Sequence, residues 1–170
     1  SDSTGIEADN VASNPDISDD GRYIAFQSAA NNLSPAATSS RLNVFLKDTG
    51  TGDIVLASSN LAGDEADNDA SNPGISADGQ YVVFESQAYN LDPDTANGFT
   101  QIYLKDLGDD SVTMLSQLSD GSAGTRASTN AEISADGRYV SFQSPESFTT
   151  DDISTNPGND IFRAHNSAYQ

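Results

Sequence analysis

The 170-residue chain contains no cysteine and no tryptophan, one methionine and one histidine, and 7 lysines and arginines against 26 aspartates and glutamates. Each shortage excludes something. Without cysteine there is no disulfide framework and no thiolate metal site, and the redox compartment is left open. A single histidine cannot furnish a zinc site, and a Ser-His-Asp relay would need His165, beside the chain end, where a surface histidine is the simpler reading. A formal net charge of -19 repels phosphate backbones and anionic lipid headgroups, so nucleic acid and membrane surfaces are poor partners. No apolar run reaches the roughly 18 residues of a membrane helix, and no signal peptide is read at the start. Since the chain begins at "SDSTG", an exported parent could have lost its leader ahead of it. Hydrophobic residues make up 35%, which calls for an economical core.

Repetition is what the sequence has in abundance. "SNPDISDDGRYIAFQS" (Ser13 to Ser28), "SNPGISADGQYVVFES" (Ser71 to Ser86) and "STNAEISADGRYVSFQS" (Ser128 to Ser144) are nearly one line written three times. Gly21, Gly79 and Gly137 are spaced by 79 − 21 = 58 and 137 − 79 = 58. Ile17, Ile75 and Ile133 keep that period, as do Tyr23, Tyr81 and Tyr139, Phe26, Phe84 and Phe142, and Gly5, Gly63 and Gly121. A constant period of this length indicates a repeat architecture.

Inside a copy the pattern is β. "RYIAFQS" alternates, with Ile24 and Phe26 on one face and Tyr23 on the other, as strands do. Asp-Gly before each such run supplies the positive φ of a tight hairpin, pairing a short strand that ends near Ile17 with one that starts at Tyr23. Third strands are predicted at Asn43–Asp48, Gln101–Asp106 and Asp160–His165, and fourth strands at Asp53–Ser59 and Ser111–Gln117. The third copy has one extra loop residue, since Phe45 to Tyr103 is 58 and Tyr103 to Phe162 is 59, and no fourth strand follows. No stretch carries helical periodicity. The expectation is an all-β chain of three four-stranded antiparallel blades, the last lacking its outer strand. They span about 5–60, 63–118 and 121–170 in a single repeat domain. One blade cannot bury both faces of its sheet. Stacking equal sheets about an axis, as a β-propeller does, solves that problem.

These residues resemble the TolB-type, WD-like β-propeller repeat of bacterial exported proteins. The resemblance rests on Pro15, Ser18, Asp20, Gly21, Phe26, Phe45, Asp48 and Thr51-Gly52, and on Pro73, Ser76, Asp78, Gly79, Phe84, Tyr103 and Asp106. It rests also on Ser134, Asp136, Gly137, Phe142 and Phe162. The third copy has Asn130-Ala131 in place of the proline, and Arg163-Ala164 in place of Lys-Asp. Propellers of this kind have more than three blades. The resemblance therefore implies a portion of a longer propeller, an open arc, or a homodimer completing a six-bladed ring. It also implies an extracellular or periplasmic location.

Loops of a meander alternate between the two ends of the sheet, which gathers the long acidic ones at one end. "GIEADN" and "GDEADN" place Glu7, Asp9, Glu65 and Asp67 there, while "GSAGTR" breaks the pattern with Thr125-Arg126. These carboxylates read either as solvated turn residues or as a binding face. "NLDPDTANGF" offers Asp92, Asp94 and Asn97 ahead of Gly98, and "TTDDISTNPGND" offers Asp151, Asp152, Asn156 and Asp160. Oxygen ligands so spaced suit Ca²⁺, although Asp and Asn also close turns on their own backbone. "GSAG" lacks the lysine of a phosphate loop and the spacing of a nucleophile elbow. Asn32-Leu33-Ser34 matches a glycosylation sequon, relevant only in a eukaryotic secretory host. No catalytic residue emerges. The sequence thus points to a non-enzymatic module binding protein or glycan through an acidic loop face, possible Ca²⁺ being the one cofactor considered. The alternatives are a gating propeller segment of a larger hydrolase or a structural spacer in an extracellular repeat protein.

Overall fold

A computed structural model describes residues 5, 7–93, 97–146, 148 and 158–167. These residues form eleven strands and no helix. Blade 1 contains β1 (Ala12–Ile17), β2 (Tyr23–Ser28), β3 (Asn43–Asp48) and β4 (Ile54–Leu56). Blade 2 contains β5 (Ala70–Ile75), β6 (Tyr81–Ser86), β7 (Gln101–Asp106) and β8 (Val112–Met114), and blade 3 contains β9 (Thr129–Ile133), β10 (Tyr139–Ser144) and β11 (Asp160–His165). Each blade is an antiparallel meander in chain order. The all-β expectation holds, including the short third sheet.

The turn that opens every blade is built from Ser-x-Asp-Gly. Ser18 Oγ donates to Asp20 Oδ1 at 2.7 Å and receives the Tyr23 amide at 3.0 Å, while the Arg22 amide donates to the same carboxylate at 2.9 Å. Copies two and three repeat this arrangement at Ser76, Asp78 and Tyr81 and at Ser134, Asp136 and Tyr139. Only the glycine has a positive φ, +72° at Gly21. The loop is accordingly longer than a two-residue hairpin: Ile17 pairs with Ile24, and the aspartate closes the turn with its side chain.

The innermost strands contain a bulge. Pairing shifts between Ser13 and Asp16, where Asn14 adopts φ 48°, and Asn72 and Asn130 do the same at 51° and 56°. Asparagine tolerates this left-handed region better than most residues. Proline is allowed at position 15 because a bulge in an inner edge strand needs no ladder N–H; Ala131 fills that position in blade 3. Register also corrects one reading of the sequence. Tyr23, Tyr81 and Tyr139 pair with Asp48, Asp106 and His165, so Ala164-His165, not Arg163-Ala164, replaces Lys-Asp.

The fourth strands are shorter than predicted, three residues each. The cause is a serine. Ser58 Oγ accepts the Val44 amide at 3.1 Å and bonds Asn43 Oδ1 at 3.0 Å, and the amides of Ala57 and Ser58 both turn to the Val44 carbonyl. Ser116 takes the Ile102 amide in the same way. A side chain has replaced the ladder, and the strand ends there.

Blades pack by one rule. Ala25, Val44 and Leu46 of blade 1 meet Val82, Phe84, Tyr103 and Met114 of blade 2. Tyr81, Val83, Ile102 and Leu104 then meet Val140, Phe142, Phe162 and Ala164 of blade 3. The tyrosine that starts each second strand lies on the turn glycine of the next blade. A Cβ on Gly79 would intrude into the Tyr23 ring, and one on Gly137 would come within 2.7 Å of the Tyr81 ring, whereas Gly21 faces open space.

Two expectations follow from this geometry. Gly21→Ala strains only the backbone and should cost about 1 kcal/mol. Gly79→Ala adds the tyrosine clash and should cost about 1–3 kcal/mol more; urea denaturation of both variants checks the difference. In the second case, Arg22 donates to Asp48 at 2.7 Å. That pair, aided by the Gly50 and Thr51 amides, holds the Asp48 pKa at about 2. A lowered carboxylate pKa stabilises the fold above the ordinary value of 3.8, and that contribution disappears as pH falls through about 2. Carboxyl NMR titration of Arg22→Ala should show Asp48 moving up toward 3.8.

Candidate functional site

The loops leading into each blade and the loops joining its second and third strands meet at one end of the sheets. There the sequence singled out Glu7, Asp9, Glu65 and Asp67, and the structure ties the four into a repeated latch. The Asp9 amide donates to Asn32 Oδ1 at 3.1 Å, the Asn31 amide to the Asp9 carboxylate at 3.2 Å, and Asn32 Nδ2 to the Glu7 carbonyl at 2.8 Å. Blade 2 repeats it: the Asp67 amide donates to Asn90 Oδ1 at 2.9 Å, the Tyr89 amide to Asp67 at 2.7 Å, and Asn90 Nδ2 to the Glu65 carbonyl at 2.8 Å. Blade 3 has Thr125 and Phe148 at the corresponding positions, and there Glu146 is the acceptor for the entry loop. The Thr125 amide and hydroxyl donate to Glu146 Oε2 at 2.7 and 2.8 Å. Asn32, the sequon asparagine, is thus part of the scaffold.

Glu65 does more than its neighbours. Its carboxylate accepts the Thr38 amide and hydroxyl, the Ser39 amide and hydroxyl, and Asn43 Nδ2, at 2.6–3.1 Å. Burial by itself would raise its pKa; the donors from Ser39, Asn43 and Thr38 outweigh that and keep it below its ordinary value. Glu65 is therefore a brace for the long loop of blade 1, and Glu7, Asp9 and Asp67 are the carboxylates of the four left exposed.

Of the candidate calcium ligands, Asp94, Asp151, Asp152 and Asn156 lie outside the described residues. Asn97 donates to the Gly124 carbonyl at 2.6 Å and accepts the Phe99 amide at 3.1 Å. Its carboxamide fastens the long loop of blade 2 to the loop leading into blade 3, helped by Gln101 on the same carbonyl at 2.7 Å. Asp92 is half-buried in blade 2, and Asp160 opens β11 in blade 3, paired with Ser144. Buried Tyr103 donates to the Ala88 carbonyl at 3.3 Å. Desolvation first, then the charges of Asp92 and Asp67, push its hydroxyl pKa well up. Among the described residues, no group of three or more His, Cys, Asp or Glu side chains is placed to hold a metal ion. His165 is exposed, with its ring edge-on to Tyr139 at 5.5 Å.

Sequence reasoning missed the apolar part of this face. Leu61, Tyr89 and Phe99 are 70%, 52% and 47% exposed beside the latches. A signal was available. Tyr23, Phe26, Phe45 and their counterparts recur with the blade period, whereas positions 58 residues before Tyr89 and Phe99 hold Asn31 and Arg41. Off the period, Tyr89 and Phe99 do not take the core positions that the repeated aromatics fill. The latch asparagines also had a signature: Asn32 and Asn90 each lie 23 residues beyond Asp9 and Asp67.

The blades define a β-propeller fold of the TolB-like kind. Comparison of the sequence with protein-family models and with curated proteins gives no match. Solved structures resemble it in fold. TolB from Acinetobacter baumannii aligns with a TM-score of 0.54 and 20% identity, over 95% of this chain and 31% of that one. Acylaminoacyl peptidase from Pyrococcus horikoshii gives 0.52 and 16%, over 95% and 24%, and the tricorn protease 0.55 and 10%, over 89% and 13%. The chain spans less than a third of each. Among the described residues, no helix is long and apolar enough to cross a membrane.

If Glu65 braces the loop, Glu65→Ala should lower stability by about 2 kcal/mol or more, because several donors lose a charged acceptor together. Hydrogen exchange should locate the loss at the Thr38 and Ser39 amides, with little change in blade 3. For Glu65→Gln the deficit should shrink in acid: a lowered pKa makes the wild-type contribution one that fades as pH falls through the glutamate range.

Proposed function

We propose that the chain is a binding module of an exported protein, without catalysis of its own, that takes a protein or glycan on its acidic loop face. The observation that carries this reading is exposed Tyr89, its amide bonded to the exposed Asp67 carboxylate on a latched loop and its hydroxyl against Gly98, next to exposed Phe99. Aromatic rings on a rigid polar surface offer large contact area at small entropic cost, and they anchor protein interfaces. The surrounding negative charge favours a basic or hydroxyl-rich ligand over an anionic one. Calcium, in this proposal, orders the long loops through Asp92, Asp94 and the 151–160 segment. The TolB-like fold and the acidic surface suit a location outside the cytoplasm.

The likeness to peptidase propellers supports a second reading, in which the chain is the gating propeller of a larger hydrolase. Under it the full polypeptide contains a hydrolase domain, and the loop face screens peptides instead of retaining a ligand.

The test is binding to glycan and peptide arrays, with and without calcium, by wild type and by Tyr89→Ala/Phe99→Ala. Wild type should retain a defined ligand class, and the double variant should lose at least tenfold in affinity while keeping its circular dichroism spectrum. No ligand on either array, or undiminished binding by the variant, overturns the proposal.

A further inference from the structure

Gln27, Glu85 and Gln143 occupy one register position in successive blades, the next-to-last residue of the second strand. Gln27 Oε1 accepts the Asn72 amide at 2.8 Å, and Glu85 Oε1 accepts the Asn130 amide at 2.8 Å, so each ties its blade to the bulge of the next. The carboxamide of Gln27 shows that this bond needs no charge. Glu85 has one nonetheless, and it is only 5% exposed. Among the described residues, the Asn130 amide is its one hydrogen-bond donor, and none of the ion pairs reaches it. A buried charge without a counter-charge is costly, and something outside the chain is needed to neutralise it.

Glu85 lines a polar hollow of about 160 Å³, together with Asn68, Asp69, Ser71, Gln87 and Thr100. The hollow lies at the loop end of blade 2, where the entry loop, the end of β6 and the start of β7 meet. Gln87 Nε2 donates to Thr100 Oγ1 at 3.1 Å across the base of the long loop, and the Asp69 carboxylate accepts the Leu42 amide at 3.0 Å. These bonds hold the walls in place. Exposed Tyr89 and Phe99 follow Gln87 and precede Thr100 on that loop. Blade 2 has a neighbour on either side, so the hollow is built wholly inside the stack and owes nothing to the outer faces of blades 1 and 3.

We infer that this hollow receives the ammonium group of a lysine side chain on a protein ligand, with Glu85 as its counter-charge, an assignment that rests on the loop-face reading above and narrows it. Three features select that chemistry. The volume holds about five water-sized groups, which suits an ammonium with part of its methylene chain and exceeds what a bare metal ion fills. Glu85 and Asp69 repel anionic groups and attract a cation. Glu85 Oε1 is already taken by the Asn130 amide, which leaves one carboxylate oxygen for the ligand. A guanidinium fork asks for two parallel acceptors, whereas an ammonium has three separate donors, matched by one carboxylate oxygen and the hydroxyl and carboxamide oxygens of the walls.

Amide NMR of the isotopically labelled 170-residue chain, titrated with Nα-acetyl-lysine methylamide, tests this. Saturable shifts are expected at the amides of Glu85, Gln87, Thr100 and Asn130. Glu85→Gln keeps the acceptor for Asn130, as Gln27 does for Asn72, so it should fold as wild type does and bind the probe at least tenfold more weakly. The Nε-acetylated probe should not bind, and the arginine analogue should bind at least tenfold more weakly than the lysine one. Absence of shifts at these amides overturns the proposal, as does equal binding by Glu85→Gln, by the acetylated probe or by the arginine analogue. Calcium chloride that saturates the same amides and displaces the probe also overturns it, because the hollow is then a metal site. The array experiment fails separately. A peptide retained equally well by Glu85→Gln keeps the loop-face reading and removes the lysine pocket, whereas arrays without a ligand and a probe held in the hollow do the reverse.

Discussion

Everything in this molecule follows from a sheet too small to bury itself. Four short strands have two faces, and a blade of about 58 residues has chain enough to cover neither. The apolar side chains of one face can leave water only against the next blade, so a sheet of this kind is stable only in a stack. The tyrosine on the neighbouring turn glycine sets the register of that stack. It requires a residue without a side chain at Gly79 and Gly137, and the same residue must adopt the positive φ that ends the Ser-x-Asp-Gly turn. One glycine meets both demands, which is why the local turn and the long-range packing cannot be altered separately.

The blades are alike in core and unlike in polar detail. Arg22 pairs with Asp48 in blade 1, Gln80 reaches Asp106 in blade 2, and His165 occupies that register position in blade 3. Lys105, buried between blades 1 and 2, donates to the Asp110 carbonyl at 2.7 Å and reaches Ser59 at 3.5 Å. Its pKa is pushed down by burial and supported by the neighbouring carboxylates. Lys47, its counterpart, lies on the outer face of blade 1. The same residue is a buried strut in one blade and the rim of an apolar hollow in another, because what differs is whether a neighbour covers it.

The loop face has a division of labour among acidic residues. Glu65 is consumed in bracing, Asp9 and Asp67 close latches yet remain in contact with solvent, and Glu7 contributes its carbonyl and leaves its carboxylate outside. A net charge of -19 therefore conceals different roles, and counting carboxylates could not have separated them.

The sequence by itself determined the repeat, its period, the strands and the turns, because alternation and turn chemistry are local and were written three times. Ile17, Tyr23 and Phe26 could be assigned from spacing alone. The one-residue error at Ala164-His165 arose because the third copy's extra loop residue was not carried past Phe162, and cross-strand pairing shows the frame that Phe162 itself implies. Tertiary structure decided the rest. Glu65 became a brace and Asn97 a fastener because their donors and acceptors come from segments 22–27 residues away, and Tyr89 and Phe99 lie exposed in the long loop between β6 and β7, outside the ladder that fills the core. Hydrogen bonds between loops and burial between sheets depend on where distant residues meet, and a linear pattern records only which residues are there to meet.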